Sequence, residues 1–422
     1  MAQTGTTQRE RPLSGAEKRT VALLGVPTLA LALAVTVVTT YLPVVAQGFA
    51  GSTVVIGLIV GIEGVIALWL PLVVGTWSDR LRTRIGGRLP FLLAAGPLVV
   101  AALLAMGLVS SVGALAVAAL VFFVGYFLAY EPYRALYPDA VGDEAAGRAQ
   151  GTQALWRGAG TGLALVGGGL LLGIGQGAPF AVAAALYLAA VGAFVVVLAR
   201  RGVPDRDGAD DEGVSHEGVR DEARRVWRLV RRERALQGFL LANALWELSL
   251  AALKTFVVLY VTKGLGYSRV TASLVIGAVA VVVLGAALGS GKLADRFGEV
   301  RVLHCALPIY GLGLLVPLLF TPPLVVALAV PFVAIGGGVI MALPYALLMQ
   351  HMPEDEHGAM TGCYSFSRGL GTWLGPLLGG LAITALAGVF PDTHGFQAVW
   401  GVCAAAVLLS LLPLRALAAR AA

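Results

Sequence analysis

Three carboxylates and a handful of cations sit where charge is expensive. Glu63 stands alone in the run TVVIGLIVGIEGVIALWL, and Glu131 and Arg134 lie three apart in AYEPYRALYPD, on one helical face. Asn243, Glu247 and Lys254 follow at i, i+4 and i+11 on another face, with Trp246 adjacent. Holding an ionisable side chain at the centre of a bilayer costs about 2.5–3.5 kcal/mol on insertion scales. Such groups persist where they pair or meet water. A carboxylate in that setting suits reversible protonation, which makes Glu63, Glu247 and Glu131 proton-carrying candidates. The bland alternative is a carboxylate held by an arginine for packing. Arg134 can hold an anion or a carboxylate partner; an interfacial ion pair with Glu131 is the alternative. Lys254, near the end of its run, can also snorkel to the interface. Tyr126, Tyr130, Trp156 and Tyr364 can line a cavity, although aromatic residues in apolar runs more commonly pack against lipid or core.

Other chemistries lack their residues. No Gly-rich phosphate loop of the Walker type occurs, so ATP is not the expected energy source. No metal-ligand spacing and no nucleophile motif occur either. Cys305, Cys363 and Cys403 all fall inside apolar runs without CxxC spacing and read as small buried residues. The sequence therefore points away from an enzyme, with no cofactor and no metal expected.

The elements that must position these charges are membrane spans. Of 422 residues, 58% are hydrophobic and 13% charged, whereas a soluble chain carries about 25% charged residues. The mean hydropathy is +0.84. The apolar residues come in runs near the roughly 20 residues that cross a hydrocarbon core, and without polar alternation they must be helical. Twelve spans are predicted: 20–46, 54–77, 90–109, 112–137, 151–174, 178–200, 234–262, 270–292, 302–320, 324–350, 358–386 and 394–416. The first is too long for a signal-peptide core and reads as an uncleaved span.

The net charge of +6 is a matter of topology rather than of nucleic-acid binding. Arg80, Arg82, Arg84 and Arg88, then Arg148, then Lys292, Arg296 and Arg301, then Arg415 and Arg420 lie on one side of the spans. The opposite connections AQGFAGST, SSVG, GQGA and TPP contain no Lys or Arg; Lys263 and Arg269 alone sit on that side. The positive-inside rule then places both termini in the cytoplasm. The expected division is a tail 1–19, a six-helix half 20–200, a cytoplasmic loop 201–233, a second six-helix half 234–416 and a tail 417–422. In the loop, PDRDGADDEGVSHEG reads as disordered, and VRDEARRVWRLVRRERAL as an amphipathic surface helix.

The two halves repeat. Gly75, Asp79 and Arg80 match Gly291, Asp295 and Arg296 at an offset of 216 residues. Pro132-Tyr133 and Asp143-Glu144 match Pro344-Tyr345 and Asp355-Glu356 at 212. Gly151, Arg157, Gly158, Gly160, Thr161, Gly168 and Gly169 match Gly362, Arg368, Gly369, Gly371, Thr372, Gly379 and Gly380 at 211. Parallel repeats predict a site near the midplane between the halves. Glu131 and Arg134 correspond to Leu343 and Ala346, so that pair is not part of the repeated architecture. Arg157 and Arg368 do recur, each a few residues past a basic loop, which favours gating over substrate contact.

The repeated Gly75-xxx-Asp79-Arg80 and Gly291-xxx-Asp295-Arg296 segments resemble the loop signature of the major facilitator superfamily. SDRLRTRIGGRLPF (78–91) and EPYRALYPD (131–139) are similar to segments of the sucrose/proton symporters and the wider glycoside–cation symporter group. The resemblance implies an all-α membrane protein of twelve transmembrane helices in two pseudo-symmetric six-helix halves. It implies alternating access, a small organic solute (a sugar or glycoside) as substrate, a proton or sodium ion for coupling, and a monomer in the cytoplasmic (inner) membrane. It gives Asp79, Arg80, Arg88, Asp295, Arg296, Arg157 and Arg368 gating roles. Glu63, Glu247 and Glu131 become coupling candidates, and Arg134, Asn243, Trp246, Lys254, Tyr126 and Tyr130 substrate or charge-partner candidates. The sucrose carriers place an aspartate eleven residues before the span-4 arginine; here that position is Phe123. The melibiose-type carriers place acidic residues in span 2, where Glu63 is a looser match. The scarcity of Asn and Gln in the spans keeps a proton-driven exporter of drugs or secondary metabolites as the alternative.

Overall fold

The computed structural model describes residues 14–81, 83, 88–139, 146–201, 228, 230–231, 233–350 and 357–414. Both tails, the acidic stretch after span 6, most of the arginine-rich helix expected there and the paired Asp-Glu loops fall outside the described residues. Everything described is helix, turn or short connection.

The first half holds α1 (Gly15–Ala46), α2 (Thr53–Ala67), α3 (Leu70–Arg80), α4 (Leu89–Leu108), α5 (Val112–Asp139), α6 (Ala146–Ile174) and α7 (Ala178–Arg201). The second holds α8 (Arg234–Leu259) with a π-turn over Tyr260–Gly264, α9 (Arg269–Phe297), α10 (Glu299–Leu319), α11 (Pro323–Gln350), α12 (His357–Ala385) and α13 (Ala398–Leu409). Counting α2 and α3 as one, these are the twelve predicted spans. Ten are long and apolar enough to cross a membrane; α12 is more polar, and the apolar helix from Ala398 to Leu414 is shorter. Many large apolar side chains, among them Val281, Leu288, Leu324 and Leu328, face outward, which lipid accommodates and water would not.

Four of the differences from the expected boundaries have a clear local reason. Helix α1 starts at Gly15 because Ser14 and Glu17 form a capping box: Ser14 Oγ accepts from Glu17 N at 3.3 Å and Glu17 Oε2 accepts from Ser14 N at 2.6 Å. Span 2 is broken at Leu68–Trp69, where Trp69 leaves helical geometry (φ −133°) and Pro71 begins the next turn without an N–H. The GKLADRF segment continues α9 to Phe297 and stops at Gly298, whose φ of 83° suits glycine. The last span begins at Ala398, after a tight corner with His394 and Gly395 both at positive φ.

Each close helix pairing in one half has its counterpart in the other. Helix α1 packs on α6 and α7 as α8 packs on α12 and α13; α4 packs on α5 and α7 as α10 packs on α11 and α13. Across the halves, α2 lies along α12 and α6 along α9. The repeated glycines make this possible: a Cβ on Gly160 would strike the carbonyl of Leu29 on α1, and one on Gly371 the carbonyl of Ala244 on α8.

Candidate functional site

The charges in the middle of the spans converge between the two halves. Glu63 comes from α2, Tyr126, Tyr130 and Glu131 from α5, and Arg157 from α6. Glu247 and Lys254 come from α8, Tyr364 and Arg368 from α12. Arg157 and Arg368 each lie eleven residues past the first residue of their helices, Ala146 and His357. At 1.5 Å per residue that is roughly 16 Å along the axis. Arg157 thus lies six residues into the apolar span Gly151–Ile174, and Arg368 occupies the equivalent position of the repeat in α12.

Within the cluster, Arg368 Nε and Glu247 Oε1 form an ion pair at 3.3 Å. The Arg368 side chain is nonetheless 45% exposed and that of Glu247 20%. That exposure is not toward lipid. Arg368 lies in electrostatic range of Glu63 and Tyr130 from the other half, and Arg157 lies in range of Arg368. The pair therefore faces an internal space between the halves. Arg157 Nη1 donates to Tyr130 Oη at 2.8 Å, and its guanidinium also lies 5.4 Å from the Tyr130 ring centroid. Tyr130 stacks on Tyr126 at 5.3 Å, and Tyr126 on Phe122 at 6.1 Å, a buried ladder on one face of α5. The two candidate tyrosines thus back the arginine rather than present their rings to the space.

Lys254 does not snorkel. It is in electrostatic range of Glu63, Glu247, Arg157 and Arg368, so its stem turns inward toward the cluster. Glu63 and Glu131 are half-buried and have no hydrogen bond or ion pair among the described residues; both are in range of Tyr126. The alternative considered for Arg134, an ion pair with Glu131, does not form among the described residues. Glu131 lies in range of Arg157, and Arg134 in range of Tyr364 on α12.

Two candidates for substrate contact are placed elsewhere. Asn243 is buried and donates through Nδ2 to Ser367 Oγ at 2.8 Å, joining α8 to α12. Trp246 is buried against Phe239, and its Nε1 donates to Ser410 Oγ at 2.8 Å beyond α13. Both are buried inside the second half, where these bonds tie Asn243 to α12 one turn before Glu247 and tie Trp246 to the end of α13. Phe123 is fully buried within the first half.

Among the expected gate residues, Asp79 and Arg80 close α3, and their side chains lie outside the described residues. Arg88 immediately precedes α4. Asp295 and Arg296 are exposed in the last turns of α9. Asp295 lies at a helix C-terminal end, where the macrodipole disfavours a carboxylate.

Sequence reasoning did not find the contacts that join the halves. At the end opposite the arginine-rich connections, Thr53 Oγ1 donates to the Gly380 carbonyl at 2.9 Å and meets Thr384 Oγ1 at 2.9 Å. Tyr41 Oη meets Ser273 Oγ at 3.3 Å. Farther along, Trp373 of α12 lies over Gly61 and Gly64 of α2. Hydroxyl residues near one end of apolar runs were the available signal. Toward the arginine-rich end α3 packs chiefly on α5, while Leu72 of α3 still lies beside Gly362 of α12 and Leu284 of α9 beside Gly158 of α6.

Comparison with known proteins gives a consistent picture. The sequence matches the Major Facilitator Superfamily model over residues 24–288 and again over 247–421. An uncharacterized MFS-type transporter of Mycobacterium tuberculosis, found in two strains, is 32% identical over 111 residues, which is 26% of this chain. The chain spans only 15% of that relative's length. Among solved structures, a bacterial homologue of the human lysosomal transporter Spinster, inward-facing and unoccupied, superposes with a TM-score of 0.75 at 15% identity over 96% of both chains. The nucleoside transporter NupG gives 0.74 at 13% identity over 96% of this chain and 99% of that one. A bacterial homologue of the iron transporter ferroportin, inward-facing, gives 0.71 at 18% over 96% and 99%.

Proposed function

Because the chain belongs to the Major Facilitator Superfamily, a family of transporters and not of enzymes, we propose that it is a secondary active transporter moving a small organic solute by alternating access. The observation that carries the reading is the Arg368–Glu247 pair, mid-span and open to the space between the halves. Beside it stands Glu63, a half-buried carboxylate with no direct partner among the described residues.

The coupling ion is a proton. Protonating Glu247 removes the attraction that holds Arg368, and a ligand or proton shifts a conformational balance only through such a difference between states. Glu63, in range of both Lys254 and Glu247, is the second acceptor. No cofactor takes part. The SDRLRTRIGGRLPF and EPYRALYPD segments favour a sugar or glycoside as solute. The arginine-rich end is cytoplasmic by the positive-inside rule, with both termini inside, in the cytoplasmic membrane. It works as a monomer.

The test is external pH recorded on proteoliposomes as glucosides, sucrose and maltose are added, beside a hydrophobic cationic dye under an imposed proton gradient. Alkalinisation on adding a sugar supports proton–sugar symport. Silence to every sugar with proton-driven dye movement would overturn that solute class in favour of an exporter.

A further inference from the structure

We propose that Arg157 and Arg368 form a two-armed clamp for an oxyanion, so that the transported solute carries a carboxylate, phosphate or sulfate group at the midplane. The inference rests on the transport reading above and specifies what that site holds.

The two arginines occupy equivalent positions of the repeat, at the same depth, one from each half. They are close enough to sense each other as like charges. Like charges held together away from bulk water repel strongly unless a counter-charge lies between them. The protein sets carboxylates in range of both arginines but, among the described residues, pairs only Arg368 with one directly. Glu247 engages Arg368 through Nε, and the partner that Arg157 touches is the neutral phenol of Tyr130, through Nη1. Among the described residues, no carboxylate lies within ion-pair distance of Arg157. A guanidinium carries five donors in a rigid fork. Each arginine is therefore steered by one nitrogen and keeps most of its donors for something else.

The remaining charges fit this assignment. Glu63, Glu131 and Glu247 keep the cluster near neutrality, Glu131 and Glu247 lying in range of Arg157 without pairing with it directly, and Lys254 adds a third positive charge on the second half's side. A guanidinium fork matches an oxyanion with two parallel hydrogen bonds, which a single ammonium does not. An anion bridging the halves also gains its second arm only when both helices approach it, so its binding differs between the open and closed arrangements.

The experiment is thermal unfolding of the purified full chain in a series of chloride, acetate, phosphate and sulfate at matched ionic strength, followed by gluconate against glucitol, which differ by one carboxylate. The clamp predicts stabilisation by phosphate and sulfate above chloride and by gluconate above glucitol. It predicts about tenfold weaker apparent affinity on losing either arm. The variants are R157Q and the charge-balanced E247Q/R368Q, which removes the second arm without leaving Glu247 alone. An oxyanion effect undiminished in both variants, or none in the parent, overturns the clamp. If neutral glycosides drive flux in proteoliposomes while oxyanions have no arginine-dependent effect, the clamp falls and the transport reading stands. If spin-label distances across the two ends never interchange and no solute moves, the transport reading itself falls.

Discussion

Arg368 of α12 and Glu247 of α8 meet at 3.3 Å in mid-span while the arginine remains 45% exposed. A pair inside a packed bundle would be sealed, and a pair on the lipid face would have no charged neighbours from the other half. This one is wet on one side and packed on the other, the setting in which breaking and remaking an ion pair is cheap enough to cycle.

Glu247→Gln should abolish uphill solute accumulation and leave solute exchange across the membrane measurable, because exchange needs alternating access but no net proton movement. The partly exposed pair contributes about 1 kcal/mol, so the variant should still fold. Radiolabelled counterflow compared with gradient-driven uptake separates the two; loss of neither excludes Glu247 from coupling. Glu63→Gln in the same assay identifies the second acceptor, with the same expected split.

Gly64→Ala should move the conformational balance. Its new methyl would strike the Trp373 amide nitrogen and the Gly369 carbonyl, both backbone, so α12 must retreat. Overpacking of this kind costs about 1–3 kcal/mol, charged only to the arrangement in which α2 lies along α12. Spin-label distances between the halves at the Thr53 end should lengthen; an unchanged distribution would mean that α12 adjusts without parting.

Thr53→Val removes the hydroxyl that bridges α2 to the Gly380 carbonyl and to Thr384 while keeping the side chain's shape. Gly380 retains a donor in Thr384 Oγ1 at 3.0 Å, so no carbonyl is orphaned. The loss should be about 0.5–1.5 kcal/mol, seen as faster labelling of a cysteine placed at that end. Unchanged labelling would assign the closure to packing alone.

Trp246→Phe should lower thermal stability and leave the solute KM unchanged. Ser410 Oγ loses its donor, and the smaller ring leaves space beside Phe239, a change of about 2 kcal/mol in all. A raised KM with unaltered melting would return Trp246 to the solute site.

Whatever depends on spacing along the chain was legible in one dimension. Apolar run length gave the twelve spans, because a bilayer imposes one length on every helix that crosses it. The 211-residue repeat from Gly151–Gly169 to Gly362–Gly380 announced two like halves, and the structure pairs their helices accordingly. The mid-span carboxylates Glu63 and Glu247 stood out because uncompensated charge in an apolar run is costly, whereas Arg157 and Arg368 stood out only as repeated residues a few positions past the basic loops. Their directions were decided only in three dimensions. Lys254, Asn243 and Trp246 share a stretch of α8, yet Lys254 turns to the cluster while the other two lock into α12 and the helix beyond it. Which neighbour lies against each face depends on helices far away in the chain, and periodicity along one helix cannot name them. The break at Trp69, which lays α3 on α5 at one end, likewise reflects how the helices pack. The contacts that close the other end join Thr53 to Gly380 and Tyr41 to Ser273, residues hundreds of positions apart whose apposition is a property of the packed halves alone.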